Sequence, residues 1–586
     1  MCGIIGYTGK KQAAKMLYDG LEVLTYRGYD SCSMSTIDGG SLDIRKDVGP
    51  VSEVGLKLGF SKMKGTTGVA HTRWASTGTV SKVNAHPQVD CTGGIAVVHN
   101  GTISNYHVLK EDLGRKGHKF VSTTDTEVIP HLIEEGIKRG TSLLDAVYKA
   151  LGRLEGEYAV VVADKSGNLI GSRLGLPLVL GVCDDGVFVA SDFTAFIRYT
   201  KKVVYLEDRD IAVMAGDGYS VFAHGRRVPR VPYTVSLGQK TVGKGKFEYY
   251  MLKEIIEQGK MLRRIRTGDM RNIEKVASAI DGKTVFLVGS GTSYNACVAA
   301  SYLFARILKR QVFPVVAADL KNYEYLFDSN TAIIAVSQSG ETADLLHAVA
   351  RARAVGVKVC SIVNSQSSAL DRLSDVSIDM GAGPELAVAS TKAYTAELGI
   401  LVLIVYSLTG DLPRGQKHLE YLENVVYYLL SPHMQKAVKG VASKIWRHDN
   451  LFVIGRDEQY ATAKEAALKL KEVAYVHAEA LLGSEMKHGP LALIKKGTPV
   501  ICLVSNNNEQ EAVNDIRQVK ARGAYVIGVH RARLPEFDDW VKVRDTKFGN
   551  PILQIVPIQL LAYDLARIKG INPDMPRNLA KSVTVR

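Results

Sequence analysis

The sequence predicts a β-rich first domain followed by two α/β domains that repeat one another. Residues 1–235 contain short apolar runs separated by turns rich in Gly and Asp, a pattern typical of short strands. Beyond residue 250, strand, loop and helix patterns alternate, as expected of a parallel sheet covered by helices. With 586 residues, the chain is also too long for a single hydrophobic core.

In the first domain, strands are predicted at 94–98, 158–162 and 186–189, where apolar residues follow one another between turn residues. Two helices are expected to interrupt the strands, around 11–24 and 126–139. A polar, lysine-rich segment at 238–246 has the composition of a linker. We therefore place the first domain at 1–235 and the linker at 236–250.

The rest of the chain contains an internal repeat. Apolar runs ending at 289 and 337, and one beginning at 356, recur in the same order 166 to 168 residues later. Three ordered matches at nearly one offset indicate two copies of a doubly wound domain. We predict these copies at 251–430 and 431–575, followed by a C-terminal tail at 576–586.

Two loops of the first copy have the composition of a phosphate site. Ser290-Gly291-Thr292-Ser293 and Ser337-Gln338-Ser339-Gly340-Glu341-Thr342 each follow a predicted strand. Hydroxyls, glycines and free N–H groups at a helix N-terminus bind anions, although either loop alone would also suit an ordinary helix cap. The second copy has Arg456-Asp457-Glu458-Gln459 and an Asn-rich loop in the equivalent places, and acidic side chains repel phosphate. We therefore expect one phosphate site, in the first copy.

Residues 463–476 have the clearest helical pattern of the chain. Glu465, Lys469 and Glu472 recur at i, i+4 and i+7, so they share one face of the helix. A solvated ion-pair face would give the same pattern. The glycine-bounded segment that follows contains His488. A carboxylate, an amine and an imidazole beside a sugar phosphate are the groups needed for ring opening and proton transfer next to a carbonyl.

Cys2 is a candidate nucleophile at the start of the chain. Removal of Met1, which a small second residue permits, would leave a thiol and a free α-amine on one residue. An α-amine titrates near about 7.7–8.0, so it can act as the base for the thiol. A buried apolar cysteine at the start of a strand is the alternative.

The composition restricts the remaining possibilities. Seven cysteines, an odd number without a C-x-x-C pair, argue against a disulfide framework and a structural zinc site, and fit a reducing cytoplasm. The start of the chain lacks the pattern of a signal peptide, and the apolar run around 398–405 is too short to span a membrane. The net charge of +14 fits a generally basic surface or the attraction of anionic substrates. Clustered basic residues in a nucleic-acid-binding motif are missing from the sequence. We expect a soluble protein that binds neither membranes nor nucleic acids.

Together, the motifs resemble those of the isomerising glutamine–fructose-6-phosphate aminotransferase family over the whole chain. The first part is similar to class II glutamine amidotransferase domains, which implies an α+β N-terminal-nucleophile (αββα) fold. The second part is similar to tandem sugar isomerase (SIS) domains, which implies two α/β doubly wound units. The motifs that carry the resemblance are Cys2-Gly3-Ile4-Ile5-Gly6, His71-Thr72-Arg73-Trp74-Ala75, His99-Asn100-Gly101, Thr124-Asp125-Thr126-Glu127 and the segment 576–585.

The resemblance implies a glutaminase site in the first part. Cys2 would attack the glutamine amide with its own α-amine as base. Asn100 and the Gly101 N–H would form the oxyanion hole. Arg73 would bind the α-carboxylate of glutamine, and Asp125 its α-ammonium group.

Trp74 resembles the family residue that gates an internal ammonia channel, although a packed tryptophan would look the same. Here it begins the sequence Trp74-Ala75-Ser76-Thr77-Gly78, whereas many relatives have Trp-Ala-Thr-His-Gly. We therefore expect the loop that covers glutamine to close with different contacts.

For the second part, the resemblance implies an aminating sugar site. Glu472 would move the proton between C1 and C2 with help from Lys469, and Lys581 would form a Schiff base under a folded tail. His488 would promote ring opening from the neighbouring subunit, which implies a homodimer. The residues expected to bind the sugar phosphate are Thr292, Ser293, Ser337, Gln338, Ser339, Thr342, Val388 and Ser390.

The resemblance thus implies conversion of L-glutamine and fructose 6-phosphate to glucosamine 6-phosphate and L-glutamate, the first step of hexosamine (UDP-GlcNAc) biosynthesis. It implies no metal and no organic cofactor. The phosphate loops do not discriminate among hexose phosphates, so another phosphosugar acceptor stays open. A non-catalytic phosphosugar sensor would explain the loops but would leave Cys2, Glu472 and Lys581 without a role.

Overall fold

The computed structural model describes residues 2–216, 218–235, 243–366 and 368–582. They divide into two compact units, one of residues up to 235 together with Ser582 and the other of residues 243 to 581. Three sequence predictions fall partly outside these residues: the removal of Met1, the linker at 236–250 and the end of the tail beyond 582. The domain boundaries stay predictions.

The first unit consists of two antiparallel sheets with helices on their outer faces. The eight-stranded sheet has the order β15-β11-β9-β10-β1-β4-β2-β3, and the seven-stranded sheet has the order β14-β13-β12-β8-β7-β6-β5. The strands are β1 (Gly3–Gly9), β2 (Ser31–Asp38), β3 (Ser41–Val48), β4 (Thr67–Arg73), β5 (Gln88–Val89), β6 (Ile95–Ile103), β7 (Gly156–Asp164), β8 (Leu169–Leu174), β9 (Val179–Cys183), β10 (Gly186–Ala190), β11 (Lys202–Tyr205), β12 (Ile211–Ala215), β13 (Gly218–Ala223), β14 (Arg226–Val228) and β15 (Tyr233–Thr234). The helices are α1 (Ala13–Val23), α2 (Val51–Leu58), α3 (Tyr106–Arg115), α4 (Val128–Lys138) and α5 (Leu143–Leu151).

Successive side chains of a strand face opposite sides of its sheet, and this fixes the layer order. Ile4 packs between the two sheets with Val69, Val98 and Val161, whereas its neighbour Ile5 packs under α1. Strands buried on both faces read as continuous apolar runs, which is why the sequence shows them so clearly. The expected αββα fold is confirmed, with the two predicted helices at α1 and α4; α2, α3 and α5 were not predicted.

The second unit contains two five-stranded parallel sheets, ordered β17-β16-β18-β19-β20 and β22-β21-β23-β24-β25. Its strands are β16 (Thr284–Gly289), β17 (Phe313–Val316), β18 (Thr331–Ser337), β19 (Lys358–Val363), β20 (Val376–Asp379), β21 (Asn450–Gly455), β22 (His477–Leu482), β23 (Pro499–Leu503), β24 (Tyr525–His530) and β25 (Asp539–Lys542). Its helices are α6 (Tyr250–Ile256), α7 (Gln258–Thr267), α8 (Arg271–Ile280), α9 (Thr292–Leu308), α10 (Ala343–Ala354), α11 (Ala369–Leu373), α12 (Lys392–Leu408), α13 (Leu412–Leu429), α14 (Pro432–Ile445), α15 (Glu458–Ala474), α16 (Glu509–Lys520) and α17 (Asn550–Ile568).

The predicted repeat is confirmed by the identical strand order of the two sheets. It extends to unusual backbone angles, since the residues flanking α9 and α15 match in pairs. Gly291 (φ 53°) corresponds to Asp457 (φ 51°), and Lys309 (φ 56°) corresponds to Tyr475 (φ 53°). Asp457, Lys309 and Tyr475 adopt a positive φ although they are not glycine. Both copies therefore keep the same backbone conformation at these positions, even where glycine would be less strained.

The apolar run around 398–405 lies in α12 and is buried, as expected. Among the described residues, no helix combines the length and the apolar character that crossing a membrane requires.

We expect Lys309→Gly to raise the free energy of unfolding of the second unit. Lys309 is exposed and ends α9 in the left-handed conformation, where glycine is favoured over lysine by about 0.5–1 kcal/mol. Scanning calorimetry of the full chain measures the change. The control is Lys436→Gly at an exposed position inside α14, which should lower stability by about 1 kcal/mol. Equal losses in both variants would contradict the strain at position 309.

Candidate active site

Cys2 lies directly before β1 and contacts the backbone at the end of β4. Its Sγ accepts a hydrogen bond from the Trp74 N–H at 3.4 Å and donates to the Trp74 carbonyl at 3.5 Å. A Cβ at position 3 would lie 2.8 Å from the Thr72 hydroxyl, so Gly3 allows this close approach. Burial raises the pKa of the Cys2 thiol, whereas the Trp74 N–H and the charge of Arg73 lower it.

Asn100 and Gly101 lie together on β6. The Asn100 Oδ1 is 3.2 Å from Nε2 of His71 on β4, a contact that joins the two sheets beside the thiol. Gly101 has φ 127°, and a Cβ there would lie 2.1 Å from the Glu157 carbonyl oxygen. Only glycine fits this position, which leaves the Gly101 N–H beside Asn100 as the second expected oxyanion-hole donor.

Three buried histidines that the sequence analysis did not assign surround these residues. The His71 and His86 ring centroids are 4.3 Å apart, and the Thr126 hydroxyl lies 3.1 Å from His86 Nε2 and 2.9 Å from His99 Nδ1. Burial lowers the pKa of His71 to about 3 and also lowers those of His86 and His99. The three rings are therefore neutral at pH 7, and His71 holds the Asn100 side chain without adding charge. His71 and His99 lie inside the sequence motifs quoted above, so those motifs could have indicated that the two histidines belong to the site.

Arg73 is buried, and its guanidinium donates hydrogen bonds to the carbonyls of Thr77, Gly78 and Thr79. These contacts use the backbone, so the unusual Ser76-Thr77 sequence does not disturb them. Asp125 accepts a hydrogen bond from the Ile103 N–H at 2.8 Å. The structure thus brings Cys2, Arg73, Asp125 and the Asn100 segment to one place.

The two predicted phosphate loops are neighbours, because β16 and β18 pair in the sheet. Ser337 Oγ accepts a hydrogen bond from the Gly340 N–H at 3.0 Å and lies 3.5 Å from the Thr342 hydroxyl. Ser339 Oγ accepts from the Glu341 N–H at 3.2 Å, and the Gln338 carbonyl accepts from the Asn364 N–H at 3.3 Å. Hydroxyls and backbone N–H groups therefore converge before α10, as an anion site requires.

The second copy fills the equivalent position with its own side chains. Arg456 binds Asp515 through two hydrogen bonds of 2.6 and 3.0 Å. This ion pair occupies the end of β21, where the first copy has small hydroxyl residues.

The face of α15 that carries Glu465 and Lys469 is buried, so its interpretation as a solvated ion-pair face is wrong. Lys469 Nζ lies 2.6 Å from Glu472, 3.5 Å from Glu465 and 3.1 Å from the Thr292 hydroxyl. Burial alone would lower the pKa of Lys469, but Glu472 and Glu465 outweigh it and raise it. Burial raises the pKa of Glu465 to about 7.

Two further buried carboxylates were not predicted. Ser293 donates to Glu397 at 2.7 Å, and Lys581 lies 2.6 Å from Glu385 and 3.4 Å from Ser390 Oγ. Burial on its own raises the pKa of Glu385, but Lys581 and backbone N–H groups bring it to about 2. Glu397 lies in an apolar stretch of the sequence. A charged residue in such a stretch could have indicated a buried carboxylate with a specific role.

The tail approaches α15. Glu472 lines a cavity of about 200 Å³ together with Tyr475 and the tail residues Arg577, Asn578 and Leu579. The Val388 N–H donates to the Asp574 carbonyl at 3.0 Å, which ties the loop before α12 to the start of the tail. His488 is different: it is exposed and, among the described residues, forms no hydrogen bond or ion pair with the other predicted sugar residues.

Comparison with known proteins agrees with this arrangement. The glutamine amidotransferase domain family matches residues 71–198, and the SIS domain family matches 280–407 and 444–532. Glutamine–fructose-6-phosphate aminotransferases (isomerizing) from Thermococcus kodakarensis and Clostridium acetobutylicum are 41% and 36% identical to the chain, over 100% of each protein. The chain belongs to this aminotransferase family.

A solved structure from the family covers the second unit. The C-terminal domain of glucosamine-fructose-6-phosphate aminotransferase from Francisella tularensis has a TM-score of 0.52 and 29% identity, covering 57% of this chain and 100% of that one. The family resemblance and the fold class expected from the sequence are both confirmed.

The buried Glu397 gives a prediction for pH dependence. Burial raises its pKa from 4.5 to about 8. Between these two values the folded protein keeps a proton that the unfolded chain has lost, so this group makes stability fall as pH rises, by up to about 1.4 kcal/mol per pH unit. Glu397→Gln removes this dependence, and the variant should gain melting temperature over the wild type as pH increases from about 5 to about 8.

The matched control is Glu479→Gln, at an exposed position on β22. Its melting temperature should follow that of the wild type across the same range. Parallel curves for Glu397→Gln and the wild type would show that Glu397 is ionised in the folded protein.

Proposed function

We propose that the chain converts L-glutamine and fructose 6-phosphate to glucosamine 6-phosphate and L-glutamate. Family membership over the full length supports the two half-reactions. The observation that supports the proposal most is the buried contact of Lys581 with Glu385 and Ser390, because Ser390 is one of the residues expected to line the sugar. A phosphosugar sensor would not need this amine, whereas amination of a ketose does.

In the glutaminase half, the Cys2 thiolate attacks the glutamine amide carbon. The Asn100 side chain and the Gly101 N–H stabilise the oxyanion of the tetrahedral intermediate. Ammonia leaves, and water hydrolyses the thioester to glutamate. Arg73 and Asp125 hold the α-carboxylate and the α-ammonium group, for which Arg73 exchanges its carbonyl partners for the substrate.

In the sugar half, the hydroxyls of the two loops bind the phosphate, with Thr292, Ser293, Ser337, Gln338, Ser339 and Thr342 as ligands. Val388 and Ser390 line the sugar. The neutral amine of Lys581 attacks C2 of the open-chain ketose and releases water as the Schiff base forms. Because an ammonium cannot attack, the Lys581–Glu385 pair has to give up a proton first.

Ammonia then replaces Lys581 at C2, and Glu472 moves a proton from C1 to C2 with Lys469 beside it. The overall reaction is balanced, since hydrolysis of glutamine consumes the water that amination of the sugar releases. We propose that the ammonia travels inside the protein and that Trp74 gates its path.

His488 is proposed to open the sugar ring in the site of a neighbouring subunit, which makes a homodimer the active species. Its exposure on the single chain supports this role. We place the reaction in the cytoplasm, where seven free cysteines stay reduced.

We expect Cys2→Ala to abolish glutamine hydrolysis while the protein still binds and isomerises the sugar phosphate. The variant lacks the nucleophile, but the sugar site lies on the other unit. Glutamate release and sugar-phosphate isomerisation measured on the same sample separate the two activities. Cys183→Ala on β9 is the control and should keep both. Glutamine hydrolysis retained in Cys2→Ala would refute the nucleophile assignment.

Lys581→Ala should show the opposite pattern, with glutamine hydrolysis surviving and glucosamine 6-phosphate formation lost. Borohydride should trap fructose 6-phosphate on the wild type and not on this variant, and mass spectrometry of peptides locates the adduct. Lys542→Ala, at an exposed position on β25, should behave as the wild type. An adduct on a different lysine would overturn the role of Lys581. Product analysis with several ketose phosphates tests the choice of acceptor.

A further inference from the structure

The first unit contains a second cluster of chemically active side chains, away from the residues assigned to glutamine. Cys91 lies in the turn between β5 and β6, His118 follows α3, and His131 and Glu134 lie one turn apart on α4. One potential ligand atom of each residue lies within 4.8 Å of all the others. His118, His131 and Glu134 are buried, whereas Cys91 is exposed and gives the cluster access to solvent.

Three of the four shortest separations within the cluster are close to those around a tetrahedral metal ion, and the fourth, at 2.9 Å, is shorter. Cys91 Sγ lies 3.6 Å from Nδ1 of both His118 and His131. Glu134 Oε2 lies 2.9 Å from His118 Nδ1 and 3.2 Å from His131 Nδ1. Zinc bonds of about 2.0–2.3 Å at tetrahedral angles put ligand atoms about 3.3–3.6 Å apart. A thiolate, two imidazoles and a carboxylate are also the ligand types that zinc prefers.

The two histidines of the cluster face more carboxylate oxygens than two neutral rings can serve. Both nitrogens of the buried His118 ring face carboxylates, since Nδ1 faces Glu134 and Nε2 lies 3.0 Å from Glu135 Oε1. A neutral imidazole has a single N–H, so it can donate to only one of them. The buried Nε2 of His131 lies 3.8 Å from Glu127 Oε1, beyond hydrogen-bond distance. A cation bound at both Nδ1 atoms resolves the first conflict, because His118 then donates only to Glu135.

Residues around the four proposed ligands hold those ligands in place by hydrogen bonds and ion pairs, as is usual around a protein-bound metal ion. A carboxylate that accepts the free N–H of a ligating histidine is common around protein-bound zinc, and Glu135 stands in that position. Lys138 Nζ lies 2.7 Å from Glu134 Oε1, which leaves Oε2 as the single oxygen facing the cluster.

We propose that Cys91, His118, His131 and Glu134 bind one structural zinc ion. Four protein ligands complete the coordination and leave no open position for chemistry. The ion would join the β5–β6 turn, the segment after α3 and helix α4. Asp125 lies between His118 and α4, and Asn100 lies on the strand that follows Cys91, so the ion would fix segments of the proposed glutamine site.

The test is the metal content of the full chain, purified without chelators and measured by inductively coupled plasma mass spectrometry. We expect about one zinc per chain in the wild type. Cys91→Ala and His131→Ala should each lose at least about tenfold in zinc content, whereas Cys183→Ala should keep the wild-type content. Glu135→Gln should weaken zinc binding by about 10- to 100-fold in competition with a chromophoric chelator.

Cobalt(II) substitution is a second measurement, which tests the wild-type site directly and does not depend on how well the ligand variants fold. Cobalt(II) added to the chelator-treated wild type should give the visible absorption of a tetrahedral site and a thiolate-to-cobalt charge-transfer band. The charge-transfer band should be absent in Cys91→Ser. Wild-type protein that neither contains nor takes up zinc would overturn the proposal, as would full zinc content in both ligand variants. Iron or nickel bound so firmly that zinc fails to replace it would overturn the choice of metal.

Discussion

The buried ammonium of Lys469 is the constraint on which the second unit depends. It is fully buried, so its charge has to be compensated within the protein, and Glu465 and Glu472 on the same helix do so. Removing one partner from such a site leaves an uncompensated charge at a cost of about 3–5 kcal/mol. The third contact, to Thr292, comes from the other copy of the repeat. The charge that the chemistry needs therefore also holds α15 of one copy against α9 of the other.

This arrangement explains why the two copies have diverged. The first keeps open hydroxyl loops at the ends of β16 and β18, whereas the second has closed the equivalent position with the Arg456–Asp515 pair. Asp457 keeps the positive φ of its counterpart Gly291, and its carboxylate lies 3.2 Å from Arg306 of α9. The second copy thus contributes a helix and an ion pair to the site of the first, instead of a second phosphate site.

Sequence patterns predicted the features that depend on local spacing. The repeat, the two candidate phosphate loops and the face of α15 with Lys469 follow from periodicity or from short motifs, whereas the αββα layers were expected from the family resemblance. Glu385, Glu397 and His86 were not found, because their roles depend on contacts with residues far along the chain. Glu397, for example, meets Ser293 only after α9 and α12 pack together. The short helices α2 and α3 were missed because each buries only two or three residues, whereas α5 has a buried stripe at helical spacing that could have been found.

The buried histidines of the first unit fall into two groups, according to how many of their ring nitrogens face a hydrogen-bond acceptor. Near Asn100, each ring needs only one N–H: His71 uses Nε2, and His99 uses Nδ1. Neither ring faces carboxylates on both of its nitrogens, although the second nitrogen of each is buried without a partner among the described residues. His118 faces carboxylates on both sides, so both contacts are satisfied only by a protonated ring or by a cation bound at one nitrogen. The lack of C-x-x-C pairs argued against zinc only for sites built from closely spaced cysteines. The four proposed zinc ligands come from three separate segments and have no characteristic spacing in the sequence. They could therefore be recognised only once the fold was known.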